Sequence, residues 1–309
     1  MKAIVCTKSG PPGVLLLKEV QKPEPGKKDV LIKVHAATVT RGDVILRKMH
    51  PLLALLLRAF GVKKQKIPGV EFAGEVVDVG QDVWHFKVGT KVFGTTTGLR
   101  YGANAEFVCV PEKWKQGVLA HMPTNATYEE AAALPVGGMT ALFLLKQAYI
   151  QAGDKVLVYG ASGSVGTYAV QLAKQAFDAD VTGVCSPRNI DLVQSLGAEH
   201  VIDYTKGDIQ QSGQTYDVLF DAVGKLSDSQ VRQALKEGGT YLTIKTPTSE
   251  RLENLSTIIE LFEMGKLTPF IDRRYPLAQV PEAHKYVETG RKRGNVVITV
   301  ASPETGENT

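Results

Sequence analysis

The chain has 309 residues, with 36 Lys and Arg against 32 Asp and Glu, a formal charge of +4, and 43% hydrophobic and 22% charged residues. These proportions exclude disorder, a collagen-like repeat and a disulfide scaffold, and the length allows two domains, each able to bury its own core. Positive charge this slight and scattered also excludes a dedicated nucleic-acid binder, which needs a concentrated basic face.

The chain opens with period-two segments at Lys2–Cys6, Val30–Ala36, Gly74–Val79, Lys91–Phe93 and Ala105–Val110, divided by turns such as Pro23-Glu24-Pro25-Gly26. Short strands at this spacing predict a small barrel. Met1–Cys6 reads as a strand without a basic leader ahead of it, so no cleaved signal is expected. The longest apolar run, Pro51–Leu57, is far below the ~20 residues of a membrane span, and Arg58, Lys63, Lys64 and Lys66 follow it. Cys6, Cys109 and Cys185 form no CxxC pair, which points to a reducing, cytoplasmic compartment rather than to disulfides or a thiolate metal site.

From about residue 124 the texture becomes alternating helix and strand. Tyr128–Leu134 and Thr140–Ala148 read as helices, Lys155–Tyr159 as a strand, and Ser164–Ala176 as a helix with Val165, Ala169, Leu172 and Ala176 on one face. Val181–Cys185, Ile190–Leu196, His200–Ile202, Val218–Asp221, Ser229–Ala234 and Thr240–Ile244 repeat the alternation, which predicts an α/β unit with a parallel sheet covered on both faces. Asn295–Val300 reads as a last strand and Ser302–Thr309 as a polar, mobile tail.

The strand Lys155–Tyr159 runs into Gly160-Ala161-Ser162-Gly163-Ser164-Val165-Gly166 and then a helix, the setting a dinucleotide fingerprint requires. Glycines permit the tight turn and let backbone approach a pyrophosphate, whose charge the helix start favours. Ala161 stands where the commonest fingerprint has its first glycine. An NAD site places an acid at the end of the second strand to accept from the ribose 2′-hydroxyl. Here that stretch is Val184-Cys185-Ser186-Pro187-Arg188-Asn189, without an acid. Ser186 and Arg188 suit a 2′-phosphate, so NADPH is expected; the plainer alternative is a turn with a solvated arginine.

Together these residues resemble the medium-chain dehydrogenase/reductases, in their zinc-free, quinone oxidoreductase-like branch. The resemblance runs through Pro68–Val76, Ala132–Ala141, Tyr159–Lys174, Ser195–Glu199, Val201–Tyr204, Phe220–Gly224 and Gly294–Val297. It implies a GroES-like β-barrel domain from residues 1–123 and 268–309, a Rossmann NADP-binding domain at 124–267 with a doubly wound parallel sheet, and an active site in the cleft. It also implies cofactor contacts at Thr140, at Gly160 to Val165, at Ser186, Arg188 and Val223, at Tyr204 beside the adenosine phosphate, and at Asn295, which replaces a frequent lysine.

Zinc ligands are missing where the alcohol dehydrogenases carry them. The Cys-His stretch is replaced by Thr38-Val39-Thr40-Arg41-Gly42-Asp43, the Gly-His-Glu by Gly69-Val70-Glu71, and a short loop between Phe93 and Tyr101 replaces the four-cysteine lobe. His35, His50, His85, His121, His200 and His284 lack ligand spacing. Without a metal, the acceptor must already be electrophilic, such as a quinone or an alkene conjugated to a carbonyl. Zinc-free relatives often carry Asn-Pro-x-Asp at Thr40–Asp43. Thr40 and Asp43, with Arg41 or Tyr101 stabilising an enolate, are therefore the catalytic candidates; the alternative is a barrel loop in which Asp43 caps the next helix.

The apolar insertion Pro51–Phe60, followed by Lys63, Lys64 and Lys66, reads in three ways: packing on the barrel, a lid over the cleft, or a basic amphipathic helix at a membrane surface. The expected function is NADPH-dependent reduction of a small hydrophobic quinone or enone. The alternatives are an enoyl-type reductase with one lipid substrate and a nucleotide-binding protein with negligible turnover. A homodimer is kept as an expectation.

Overall fold

The computed structural model describes residues 1–50, 66–99, 101–207, 209 and 213–300. The Pro51–Phe60 insertion with Lys63 and Lys64, and the tail Ser302–Thr309, lie outside the described residues. The chain divides into two compact units, Met1–Pro135 with Ile271–Thr309, and Val136–Phe270.

In the first unit, Lys2–Cys6 pairs antiparallel with Leu15–Glu19. A larger sheet follows the order Ile271–Pro276, Asn295–Thr299, Asp29–Thr38, Glu71–Val79, Lys91–Thr95, Leu119–His121, with Phe107–Pro111 also paired to Asp29–Thr38. The strand Asp29–Thr38 buries Val30, Ile32 and Val34 against one core, the alternation expected of a strand with one face inward. The C-terminal segment completes that core with Leu277, Val280, Ala283, Val287, Val296 and Ile298.

The second unit holds a fully parallel sheet in the order His200–Asp203, Asp180–Cys185, Lys155–Tyr159, Tyr216–Asp221, Leu235–Thr243. Lys155–Tyr159 is its middle strand, and Val156, Leu157 and Val158 are wholly buried, as expected of a strand covered on both faces. The chain leaves this strand toward Asp180–Cys185 on one side and later returns to Tyr216–Asp221 on the other. The carboxyl end of the middle strand is thus the topological switch point, where open α/β sheets bind ligands.

Two of the boundaries that differ from the sequence reading lie in the part of the chain where helix and strand alternate. The helix expected over Thr140–Ala148 runs from Pro135 to Leu145, because proline is well suited to a first helical turn. The strand expected over Thr240–Ile244 spans Leu235–Thr243, with a register shift against Tyr216–Asp221.

Candidate functional site

Seven residues make the turn at the switch point. Gly160 has φ +81°, a conformation that side chains strain against, and a Cβ there would lie 2.3 Å from Val223 Cγ2. The fingerprint's positive-φ glycine therefore stands at 160, which leaves Ala161 free to be an alanine. A Cβ on Gly166 would fall 2.1 Å from the Gly160 carbonyl, so the helix Ser164–Phe177 approaches the turn only with glycine at 166. Gly163 is the N-cap and brings no capping side chain. The first amides of this 14-residue helix are geometrically unable to find intrahelical acceptors, which suits them to an anion.

The end of the second strand lies against that turn. Gly160 N and Ala161 N both donate to Val184 O, at 3.1 and 3.0 Å. Ser186 and Ser162 are partly exposed and Arg188 is exposed, while Tyr204, 52% exposed, donates its backbone N–H to Cys185 O at 3.3 Å. Between the serines sits a residue that the sequence analysis did not single out. Asn189 is buried and donates from Nδ2 to Ser162 Oγ at 2.9 Å and to Ser186 Oγ at 3.1 Å. Val223 overlies Gly160, and its N–H and that of Gly224 donate to Asp221 Oδ1 at 2.9 and 2.7 Å. Thr140 stands partly exposed on the helix Pro135–Leu145 of the same unit.

The remaining candidates belong to the first unit. Thr40 is the N-cap of the helix Arg41–Lys48, so Asp43 does not cap from outside; it lies in the first turn as Thr40's capping-box partner. Thr40 Oγ donates to Asp43 Oδ2 at 2.6 Å and accepts from Asp43 N at 3.1 Å. In this arrangement the Thr40 hydroxyl proton is directed at Asp43. Burial pushes the Asp43 carboxyl above its ordinary range, partly offset by hydrogen bonds from Thr40 and from Gly69 N at 3.2 Å. Arg41 is exposed and Tyr101 is 44% exposed. Asn295 is buried at the start of the strand Asn295–Thr299.

Two further groups here were not among the site candidates read from the sequence. Buried Glu71 accepts from Thr38 Oγ at 2.5 Å. Lys292 donates to Gly294 O at 2.5 Å, and burial, with the Arg41 charge adding to it, holds its ammonium down to about 8 against the opposing pull of Glu71 and Asp272. The sequence signal for Lys292 is only a basic run before the last strand, which reads as a solvated turn.

Comparison with known proteins agrees with both architectures. The alcohol dehydrogenase GroES-like domain matches residues 26–124, and zinc-binding dehydrogenase domains match residues 164–264 and 245–298. The NADPH-dependent alkenal/one oxidoreductase, chloroplastic, of Arabidopsis thaliana is 33% identical, covering 96% of this chain and 79% of its own. The quinone-oxidoreductase QR1, chloroplastic, of Triphysaria versicolor is 34% identical over 91% of this chain and 92% of its own. The solved quinone oxidoreductase from Coxiella burnetii superposes with a TM-score of 0.86 at 31% identity, covering 97% of this chain and 99% of that one. With its two architectures and these likenesses along nearly its whole length, the chain belongs to the medium-chain dehydrogenase/reductase superfamily and is an oxidoreductase related to the quinone and alkenal/one oxidoreductases.

Proposed function

We propose that this oxidoreductase uses NADPH, without zinc, to reduce a hydrophobic quinone or α,β-unsaturated carbonyl. The observation that carries the cofactor choice is the acid-free strand end, where Ser186 and Arg188 stand beside the glycine turn. Bound NADPH supplies a hydride; the chain's own residues bind, orient and polarise. The turn from Gly160 to Val165 receives the pyrophosphate, and Ser186, Arg188 and Tyr204 receive the adenosine phosphate. Thr140, Val223 and Asn295 complete the proposed cofactor contacts. Arg41 and Tyr101, both exposed and both carrying hydrogen-bond donors, are the proposed donors to the acceptor's oxygen, while Thr40 and Asp43 hold the turn that presents Arg41.

Zinc independence is supported by the residues at the ligand positions: Thr38 to Asp43 contains no cysteine and Val70 replaces the histidine. Among the described residues, no group of three His, Cys, Asp or Glu is arranged to hold a metal, although the matching domain models carry the zinc-binding name. The relatives named quinone and alkenal/one oxidoreductases support the acceptor class. Cys6, Cys109 and Cys185 are free thiols, in keeping with a cytoplasmic or other reducing compartment. No helix among the described residues is long and apolar enough to cross a membrane. Leu235–Thr243, an edge strand of the parallel sheet, gives a proposed homodimer a surface to use.

Direct titration tests the cofactor assignment. NADPH is expected to bind at least about tenfold more tightly than NADH, the size of one charge-assisted hydrogen bond. Equal dissociation constants would overturn it.

A further inference from the structure

Asn189 joins two segments that meet only in the folded unit. Ser162 comes from the glycine turn and Ser186 from the end of the second strand, and one amide group donates to both hydroxyl oxygens. The backbone bonds from Gly160 N and Ala161 N to Val184 O already hold these segments together. What the amide adds is polarity.

A serine hydroxyl has one proton to give and two lone pairs to receive. Because Asn189 occupies a lone pair on each serine, each hydroxyl keeps its proton for another acceptor. Asn189 is 4% exposed, whereas both serines are partly exposed, so their remaining capacity faces outward. In the present orientation the Asn189 amide leaves its acceptor, Oδ1, buried without a partner. The opposite amide orientation would bury two N–H donors instead, and orphaned donors are the rarer and costlier outcome. A phosphate monoester only accepts hydrogen bonds beyond its own ionisation, while a ribose hydroxyl both donates and accepts. Paired outward donors therefore favour the phosphate.

Resting on the NADPH reading above, we propose that Asn189 is a positioning residue that makes Ser162 and Ser186 paired proton donors, and so selects a 2′-phosphate over a 2′-hydroxyl on the adenosine ribose. Calorimetric titration with adenosine 2′,5′-bisphosphate and with AMP tests this without turnover. The proteins are the wild type, Asn189→Ala, the pair Ser162→Ala with Ser186→Ala, and the triple variant, each checked by thermal melting. The wild type should prefer the bisphosphate by at least about tenfold, and Asn189→Ala should lose most of that preference while its AMP affinity changes less than about threefold. In the serine-free background, removing Asn189 should have no further effect, because it acts through the serines. No preference in the wild type would overturn the NADPH reading and this inference with it. A wild-type preference kept by Asn189→Ala, or equal losses on removing Asn189 with and without the serines, would overturn the inference alone. If Asn189→Ala does not fold, the serine pair decides: retention of the preference by that variant overturns the inference.

Discussion

An exposed arginine gains most from a partner that accepts both prongs of its fork, and Arg188 is exposed at the end of the second strand. Arg188→Ala should weaken NADPH binding by about 1.5 kcal/mol, roughly tenfold, and leave NADH binding nearly unchanged; equal losses for both cofactors would show that the side chain acts on the fold. His284 makes a different prediction. It is fully buried with both ring nitrogens unpartnered, and burial, aided by the Arg47 charge, pushes its pKa down to about 3. The unfolded chain binds a proton at this histidine near its ordinary pKa of about 6.5, but the folded chain does not until about 3. Stability from this group is therefore complete above that window and is lost as pH falls through it, at up to about 1.4 kcal/mol per pH unit. His284→Leu should flatten the loss in urea unfolding between about pH 6 and about pH 4 and should not lower stability at neutral pH; an unchanged slope would reject the assignment. At this scale the sequence displayed Ser186 and Arg188 but not Asn189, whose role depends on Ser162, 27 positions away.

Among the elements, the helix Arg41–Lys48 shows why patterning can miss a short segment. Its buried positions include Asp43 and Arg47, and the Arg47 guanidinium pairs with Glu288 from the helix Val280–Glu288 and donates to Gly10 O at 3.0 Å. That partner helix in turn buries His284 between Ala283 and Val287. Polar residues on core faces hide the apolar periodicity from which helices are read. Thr40-Arg41-Gly42-Asp43 reads from the sequence either as a catalytic stretch or as a loop that caps the next helix, and its observed geometry is a capping box. Thr40→Ala should cost about 1 kcal/mol in thermal or denaturant unfolding, and Thr40→Asn, which also caps, should recover most of it. Equal stability of Thr40→Ala and wild type would mean that the cap contributes nothing.

Across the whole molecule, the sequence was most readable where backbone geometry dictates composition. The glycine turn, the apolar middle strand and the strand–helix alternation all carry their structural reasons on their surface: Gly160 needs its positive φ, Gly166 its missing Cβ, and Val156 to Val158 are covered on both faces. The first unit was harder, because Leu15–Glu19, Leu119–His121 and Ile271–Pro276 are short or largely polar strands whose pairing comes from distant segments. The ligand positions were readable as side-chain identities alone, and they predict that elemental analysis finds no stoichiometric zinc in active protein. The measurement that bears most directly on the central claim is steady-state NADPH oxidation with a panel of quinones and α,β-unsaturated carbonyls, before and after exhaustive chelation. Turnover well above background with at least one hydrophobic acceptor, unchanged by the chelator, is the expected result. No turnover across the panel, or turnover lost on chelation and restored by zinc, would contradict it.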